Sequence, residues 1–209
     1  MGTFVPILMM LLSYLVGSIP VGYLIGKSKG IDIRSYGSHN IGATNASRTL
    51  GKGYGFIVFL LRLFKAGIFV IISKYLFNYQ DDFFTIHIHP LIYGTLAILG
   101  HLFPIFLKFK GGKGISCFAG VITCYFWPLA VVGLITFVLV ASITKYISVA
   151  STLGTLSLII AYFIMQKNDM YLFIFLILTF ILIIIKHIPN YKRLIHNEEN
   201  KIKLFDKKS

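Results

Sequence analysis

The fold is decided by ISCFAGVITCYFWPLAVVGLITFVLVASIT, residues 115–144, a run of thirty residues that carries no charge. A helix of about 20 apolar residues crosses a bilayer, so this long run can cross once with residues to spare. It can also cross twice, because Trp127-Pro128 lies near its middle and a proline interrupts helical hydrogen bonds. The way this run crosses therefore sets the number of spans.

The rest of the chain has the same apolar character. Hydrophobic residues make up 56% of the sequence and the mean hydropathy is +0.81, whereas soluble domains are about 45–50% apolar. The N-terminal segment lacks the basic start of a signal peptide, and we expect it to be the first span. We predict an all-α polytopic membrane protein in which residues 1–209 form a single transmembrane domain. The other apolar segments are Phe4–Ile25, Tyr54–Phe77, Leu91–Leu107, Ile147–Met165 and Tyr171–Ile185.

The charges between these segments predict the topology. Lys27–Lys52 and Lys108–Lys113 are basic, whereas Asn78–Pro90 contains acids but no Lys or Arg. The positive-inside rule places the basic loops in the cytosol and the acidic loop outside, with the N-terminus outside. The basic tail Lys186–Ser209 is then cytoplasmic only if the long run crosses twice. We therefore predict a seven-helix transmembrane bundle, with some short helices and a cytoplasmic C-terminus.

The net charge of +13, from 20 basic and 7 acidic residues, has two interpretations. The cations can satisfy the positive-inside bias and attract anionic lipids, or they can line a pocket for an anionic substrate. Because they flank membrane helices, we expect no nucleic-acid partner. The predicted topology gathers the polar clusters on one side, and the sequence has no internal repeat. This favours an enzyme over a transporter or other non-catalytic lipid-handling protein.

The first polar cluster is the segment Gly37–Gly53, GSHNIGATNASRTLGKG. Its glycines allow tight turns that present backbone N–H groups to an anion. Ser38, Thr44 and Asn45 add donors, and Arg48 offers a planar fork that suits phosphate. The alternative is a glycine-rich connector with one surface arginine.

The second cluster is Lys110–Gly114, KGGKG, just before the long apolar run. It lacks the spacing of a P-loop. Two lysines around a glycine pair at the start of a helix nevertheless suit a phosphate. The alternative is positive-inside anchoring, for which lysines alone would suffice.

The third cluster is His187-Ile-Pro-Asn190, at the predicted inner end of the last span. His187 can serve as a base, as a donor to an anion, or simply as an interfacial residue. The sequence has no His-x4-Asp dyad, G-x-S-x-G elbow, dinucleotide fingerprint or metal cluster, and we interpret Cys117 and Cys124 as buried apolar residues. We therefore predict no cofactor and no metal, and a reaction that depends on positioning and charge neutralisation.

Two features lie within the apolar segments themselves. Pro20 interrupts the first span, so the freed carbonyls and Ser18 can face a polar cavity, or the kink can serve packing alone. Arg62 and Lys65 share a helix face in the second span. Charges at such depth face a cavity or a partner, or their side chains extend to the membrane surface.

Four segments occur in order: GSIPVGY at residues 17–23, GSHNIGATNASR at 37–48, GHLFPIFLKFKGGKG at 100–114 and KHIPNYKR at 186–193. Together they resemble the bacterial membrane glycerol-3-phosphate acyltransferases that use acyl phosphate, the PlsY family. The resemblance covers almost the whole chain, including KYISVAS at 145–151. It implies a seven-helix bundle of the bacterial plasma membrane with its active site facing the cytosol.

The resemblance also implies a reaction and its partners. The family transfers a fatty acyl group from a long-chain acyl phosphate to the sn-1 hydroxyl of glycerol 3-phosphate, which gives lysophosphatidic acid and inorganic phosphate. Membrane lipid is the other expected partner, and the sequence leaves the oligomeric state open, with a monomer among the options. The catalytic residues that the resemblance implies are Ser38, Arg48, Lys110, Lys113, His187 and Asn190. The substrate-binding residues that it implies are Asn40, Thr44 and Asn45, as donors or loop scaffold, and His101, with helix packing as the alternative. The residue patterns add Ser18 at the kink and Gly111, Gly112 and Gly114 in the glycine-rich loop.

Two positions depart from the family pattern. His39 stands where the family usually has glycine, so we expect a strained loop if the backbone there has positive φ. Histidine tolerates that region better than most residues, and its side chain can also add a donor to phosphate. Arg62 stands where the family usually has aspartate, and Ala66 where it has glycine. The lost carboxylate is an expected partner of Lys65.

Overall fold

The computed structural model describes residues 4–76, 88–165 and 167–202. Within these ranges every regular element is helical. Most of the predicted outer loop Asn78–Pro90, including Asp81, Asp82 and His87, lies outside the described residues, as does the end of the tail. The α-helices are α1 (Phe4–Ser18), α2 (Val21–Ser28), α3 (Ala43–Leu50), α4 (Lys52–Leu76), α5 (Pro90–Leu102), α6 (Ile115–Thr144), α7 (Ile147–Ile164) and α8 (Met170–Ile195).

Most of these helices suit a bilayer. Among the described residues, five helical segments are long and apolar enough to cross a membrane. A sixth is added if α1 and α2, which meet at a bend of 43°, count as one span. The all-α polytopic membrane fold is thus confirmed, whereas the count of seven spans and the orientation of the termini stay predictions.

The long run divides where the sequence suggested. Phe126, inside α6, leaves the helical conformation with φ −149° and ψ 86°. Pro128 has no N–H for the carbonyl of Cys124, four residues earlier. The Nζ atom of Lys74 donates to this carbonyl at 3.3 Å and to that of Tyr125 at 2.7 Å. The predicted hinge near Trp127-Pro128 is therefore confirmed.

The chain forms two compact units, residues 1–125 and 126–209, which meet in sequence at this break. The prediction of one transmembrane domain stays a prediction. In the first unit α1 packs closely on α5: a Cβ on Gly17 would collide with the backbone of Ala97, and one on Gly100 with the carbonyl oxygen of Tyr14. Small residues allow such close helix contact within a membrane.

The bend between α1 and α2 is stabilised by a buried lysine. Lys65 is 8% exposed, and its Nζ atom donates to the carbonyl oxygens of Gly17 and, at 2.8 Å, Ile19. The carbonyls freed near Pro20 therefore have a charged donor, which satisfies polar groups that lipid would leave unpaired. Lys65 faces this partner and does not extend to the surface.

In the second unit the C-terminal part of α6 packs on α7, where a Cβ on Gly133 would approach Leu158 to 2.9 Å. α7 in turn packs against α8. α8 continues past its predicted end at Ile185 to Ile195. After α8 the chain turns back, and the N–H of Ile202 donates to the carbonyl oxygen of Lys145 at 2.8 Å.

Candidate functional site

A cavity of about 530 Å³ lies in the first unit, between two segments that the sequence marked separately. One wall comes from the residues around the start of the Gly37–Gly53 segment, and the other comes from the connection between α5 and α6. Three cations and a histidine line it, together with apolar side chains, which is a composition suited to an anionic amphiphile. The lining residues are Arg34, His39, Asn40, Ile41, Phe106, Leu107, Lys108, Lys110 and Gly111.

The first wall is organised by the amide of Asn45, which is only 1% exposed. Its Oδ1 accepts from the N–H of Ser38 at 2.8 Å. Its Nδ2 donates to the carbonyl oxygens of Ile33, Asn40 and Tyr36 at 2.7, 2.8 and 3.1 Å. The four bonds hold the loop in one conformation, so Asn45, predicted to bind substrate, acts here as the loop's scaffold.

The same wall contains a short helix that the sequence did not suggest. α3 begins after Gly42, whose N–H donates to Oδ1 of Asn40 at 2.9 Å. Thr44 is half-buried in its first turn, and Arg48 is exposed in its last. Of the predicted residues in this segment, only Asn40 lines the cavity, whereas Ser38, Thr44 and Arg48 lie close to it in the chain.

The second wall depends on its glycine pair. A Cβ on Gly111 would stand 2.5 Å from Cδ of Pro104 and 2.6 Å from the carbonyl oxygen of Leu102. The N–H of Gly112 donates to the carbonyl oxygen of His101 at 3.2 Å. The loop thus folds tightly on the end of α5, and this contact leaves no room for a side chain. Gly114, with φ +87°, ends the loop before α6.

The two predicted lysines of this wall differ in position. Lys110 is exposed and lines the cavity. Lys113 is half-buried, next to the N-terminus of α6. Lys108, which served only as a topology signal in the sequence, also lines the cavity.

Arg62 lies immediately behind both walls. It is 5% exposed, and its Nη2 atom bonds to the imidazole of His101. A Cβ on Gly42 would stand 3.3 Å from its Nη1 atom, and one on Gly112 would stand 2.6 Å from Nη2. Gly42 follows the cavity-lining Ile41, and Gly112 follows Gly111. The guanidinium therefore touches both loops just beyond the cavity wall.

This contact shows what Arg62 does at the position where the family usually has aspartate. Within the described residues no carboxylate forms an ion pair with Arg62 or Lys65. The carbonyls at the α1–α2 bend replace the expected carboxylate as partners of Lys65, and His101 partners Arg62. His101 is 2% exposed and holds Arg62 and the Gly112 backbone, so its predicted substrate contact stays a prediction.

One cation at the cavity has an acidic neighbour. Arg34 donates from Nε and Nη2 to Asp32, with an Nη2–Oδ2 distance of 2.6 Å, and its guanidinium stacks over Tyr23. Hydrogen bonds from Arg34 lower the pKa of the Asp32 carboxyl to about 2. Lys108 and Lys110 form no ion pair with a described residue, so the cavity keeps a net positive charge.

The remaining predicted residues lie elsewhere. Ser18 is 1% exposed in α1 and donates to the carbonyl oxygen of Tyr14 at 2.9 Å, and it does not line the cavity. His187 and Asn190 lie in the second unit, on α8. His187 is 1% exposed, its Nδ1 bonds to the carbonyl oxygen of Ile183 at 2.8 Å, and its ring stacks on Tyr191. That His187 and Asn190 act on the same substrate as the two loops stays a prediction.

Asn190 has a partner that the sequence did not suggest. Its Nδ2 donates to Oε1 of Glu199 at 2.6 Å. The Glu199 side chain, 6% exposed, also accepts from Nε of Arg193 at 2.9 Å and from Oγ of Ser148 at 3.2 Å. The carboxylate thus connects α7, α8 and the tail. The adjacent acids Glu198 and Glu199 stand out in a basic tail, and they were the sequence signal that could have indicated this partner.

Comparison with known sequences gives one consistent family. A sequence model described as glycerol-3-phosphate acyltransferase matches residues 7–197. A glycerol-3-phosphate acyltransferase of Bacillus subtilis is 41% identical over 198 residues, which cover 94% of this chain and 97% of the relative. One from Staphylococcus haemolyticus is 43% identical over 204 residues, with 94% and 98% covered.

Solved structures agree with this result. The chain is similar to a crystal structure of PlsY, described as an integral membrane glycerol 3-phosphate acyltransferase in its glycerol 3-phosphate form. The TM-score is 0.85 at 32% identity, with 94% of this chain and 95% of the other covered. The lysophosphatidic acid form of PlsY matches with a TM-score of 0.83 at 31% identity over the same shares of the two chains.

Proposed function

The chain belongs to the glycerol-3-phosphate acyltransferase family, and we propose that it moves a fatty acyl group from acyl phosphate to the sn-1 hydroxyl of glycerol 3-phosphate. The products are lysophosphatidic acid and inorganic phosphate. Lysophosphatidic acid is the first intermediate of phospholipid synthesis in this scheme. The proposal places the enzyme in a bacterial plasma membrane with its site open to the cytosol, where glycerol 3-phosphate is dissolved.

One observation carries the proposal: a single cavity combines cations from two loops with apolar side chains. Both substrates are phosphate monoanions or dianions, and they repel each other as they approach. Arg34, Lys108 and Lys110 neutralise this charge in fixed positions. Such prearranged charge is usually the largest single contribution to catalysis. Phe106 and Leu107 suit the apolar chain of the acyl donor.

The chemistry requires little from protein acids and bases. The sn-1 hydroxyl oxygen attacks the carbonyl carbon of acyl phosphate and a C–O bond forms. The bond from that carbon to the phosphate oxygen then breaks, and inorganic phosphate leaves with both bonding electrons. The departing phosphate takes the hydroxyl proton, so atoms and charges balance. This agrees with the lack of a His-x4-Asp dyad in the sequence.

We propose the following roles for the residues that the sequence singled out. Ser38 and Arg48 contact phosphate from the first loop, and Lys110 and Lys113 do so from the second. Asn40, Thr44 and Asn45 shape the first loop. The glycines Gly111, Gly112 and Gly114 let the second loop fold tightly and bring its lysines close to the substrate. His187 and Asn190 orient substrate from α8. Ser18 and His101 act through the packing of α1 and α5.

A direct assay tests the proposal. The purified protein in detergent is given palmitoyl phosphate and labelled glycerol 3-phosphate, with the Bacillus subtilis relative as a parallel sample. We expect labelled lysophosphatidic acid and an equal amount of phosphate. No product from this chain, under conditions in which the relative is active, would contradict the proposal. Uptake of glycerol 3-phosphate into proteoliposomes without product would instead support a transporter.

A matched pair of lysine variants links the activity to the cavity. Lys110→Ala removes a cation from the cavity lining, whereas Lys52→Ala removes an exposed lysine at the start of α4 that does not line it. Loss of one aimed charge lowers kcat by about 10²–10³. We expect this loss for Lys110→Ala alone. Equal rates for the two variants would show that the cavity is not the phosphate site.

A further inference from the structure

His39 adopts a backbone conformation that is unfavourable for its side chain. Its φ is 55°, in the left-handed region that favours glycine. Residues held in such conformations cluster at functional sites, where the surrounding structure stabilises them. Here the surroundings are the Asn45 hydrogen bonds and a bond from the N–H of His39 to the carbonyl oxygen of Tyr36 at 3.1 Å. Glycine would occupy this position without strain.

The imidazole is fixed through one of its two nitrogens. Nδ1 lies 2.9 Å from the carbonyl oxygen of Arg34, and since a carbonyl can only accept, Nδ1 carries a proton. Within the described residues no protein atom bonds to Nε2. Nε2 is therefore the ring atom available to a ligand, and the side chain lines the cavity.

The groups around this ring favour an anion. Arg34 comes from the same wall, and Lys108 and Lys110 come from the opposite wall. Among the residues that the structure describes, no carboxylate lines the cavity, and the nearby Asp32 is bonded to Arg34. A ligand that reaches Nε2 thus enters a region of positive charge.

We propose that Nε2 of His39 shares a proton with a phosphate oxygen of one substrate, which adds a contact that glycine cannot make. With Nδ1 protonated, a neutral ring accepts from a protonated phosphate oxygen, and a charged ring donates to an unprotonated one. Either state gives one N–O hydrogen bond to the phosphate. The inference rests on the proposed function. It makes His39 a residue that sets the affinity for a phosphate-bearing substrate in this chain.

Two variants separate the ring from the backbone. His39→Gly removes the imidazole with its bond to Arg34 but also removes the strain, so these opposing effects should leave its unfolding temperature close to that of the wild type. His39→Ala removes the imidazole but keeps a Cβ at positive φ, so it should be the less stable of the two. We expect KM for one substrate, glycerol 3-phosphate or acyl phosphate, to rise about tenfold in both variants, with a smaller change in kcat.

Separate titrations of the two substrates identify which phosphate is bound. A rise in either KM supports the contact and assigns it, whereas unchanged KM values for both substrates in an active His39→Gly variant overturn it. If the wild type has no acyltransferase activity, the thermal shift produced by glycerol 3-phosphate or inorganic phosphate replaces KM. A shift that is smaller in His39→Gly supports an anion contact, and equal shifts or no shift overturn it.

Discussion

Replacing Gly111 by alanine should displace the second wall of the cavity. The new Cβ would stand 2.5 Å from Cδ of Pro104, whereas two carbon atoms pack at about 3.5 Å. The difference of about 1 Å must be absorbed by the loop, because the opposing atoms belong to a proline ring and to backbone carbonyls. Misplacing a reacting group by about 1 Å costs about 10²-fold in rate. We therefore expect kcat/KM to fall about 100-fold.

The chain offers a matched control at Gly53. A Cβ there would have no atom within 4 Å, and the residue lies in the first turn of α4. Gly53→Ala should therefore retain wild-type activity and stability. Overpacking costs about 1–3 kcal/mol, so Gly111→Ala should melt several degrees lower in detergent but still fold. A kcat/KM for Gly111→Ala within threefold of that for Gly53→Ala would show that tight packing at Gly111 does not position Lys110 and Lys113.

Three other changes test separate parts of the structure. Arg48→Ala should reduce kcat/KM by about 10²–10³, measured by phosphate release, and a wild-type rate would exclude it as a phosphate contact. Glu199→Gln weakens three hydrogen bonds to a buried carboxylate, each worth about 1.5–3 kcal/mol when charged, so the melting temperature of this variant should fall. The melting temperature of the control variant Glu198→Gln, at an exposed residue, should not fall. Equal melting temperatures would show that Glu199 has no structural role. Because Arg34 lowers the pKa of Asp32 from 3.8 to about 2, their pair adds stability that is fully present above pH 3.8 and is lost as the pH falls through 2. Asp32→Asn should therefore lower the melting temperature slightly at pH 7 and not below pH 2, and an effect that grows in acid would contradict this sign.

The sequence was sufficient for those parts of the fold that depend on local pattern. Apolar length identified the membrane helices, and Pro128 identified the break in α6. The Lys110–Gly114 segment was singled out because glycines next to lysines have no reason to occur in a simple membrane anchor. The positive φ on which the expected strain at His39 depends is present, at 55°.

Other parts depend on contacts that a sequence does not display. α3 was missed because its polar residues carry no membrane signal, and it is stabilised by packing on α4. The extension of α8 was missed because Lys186 and Pro189 suggested an end, although the helix continues through both. The placement of Arg62 against Gly42 and Gly112 joins residues far apart in the chain, so only the fold reveals it.

In the proposed reaction the sn-1 oxygen of glycerol 3-phosphate attacks the acyl carbon and phosphate leaves. Glycerol 3-phosphate labelled with ¹⁸O at the sn-1 hydroxyl tests it most directly, with palmitoyl phosphate as donor and mass spectrometry of both products. We expect the label to be retained in the ester of lysophosphatidic acid and the released phosphate to be unlabelled. Label in the phosphate, or phosphate release that does not depend on glycerol 3-phosphate, would contradict it.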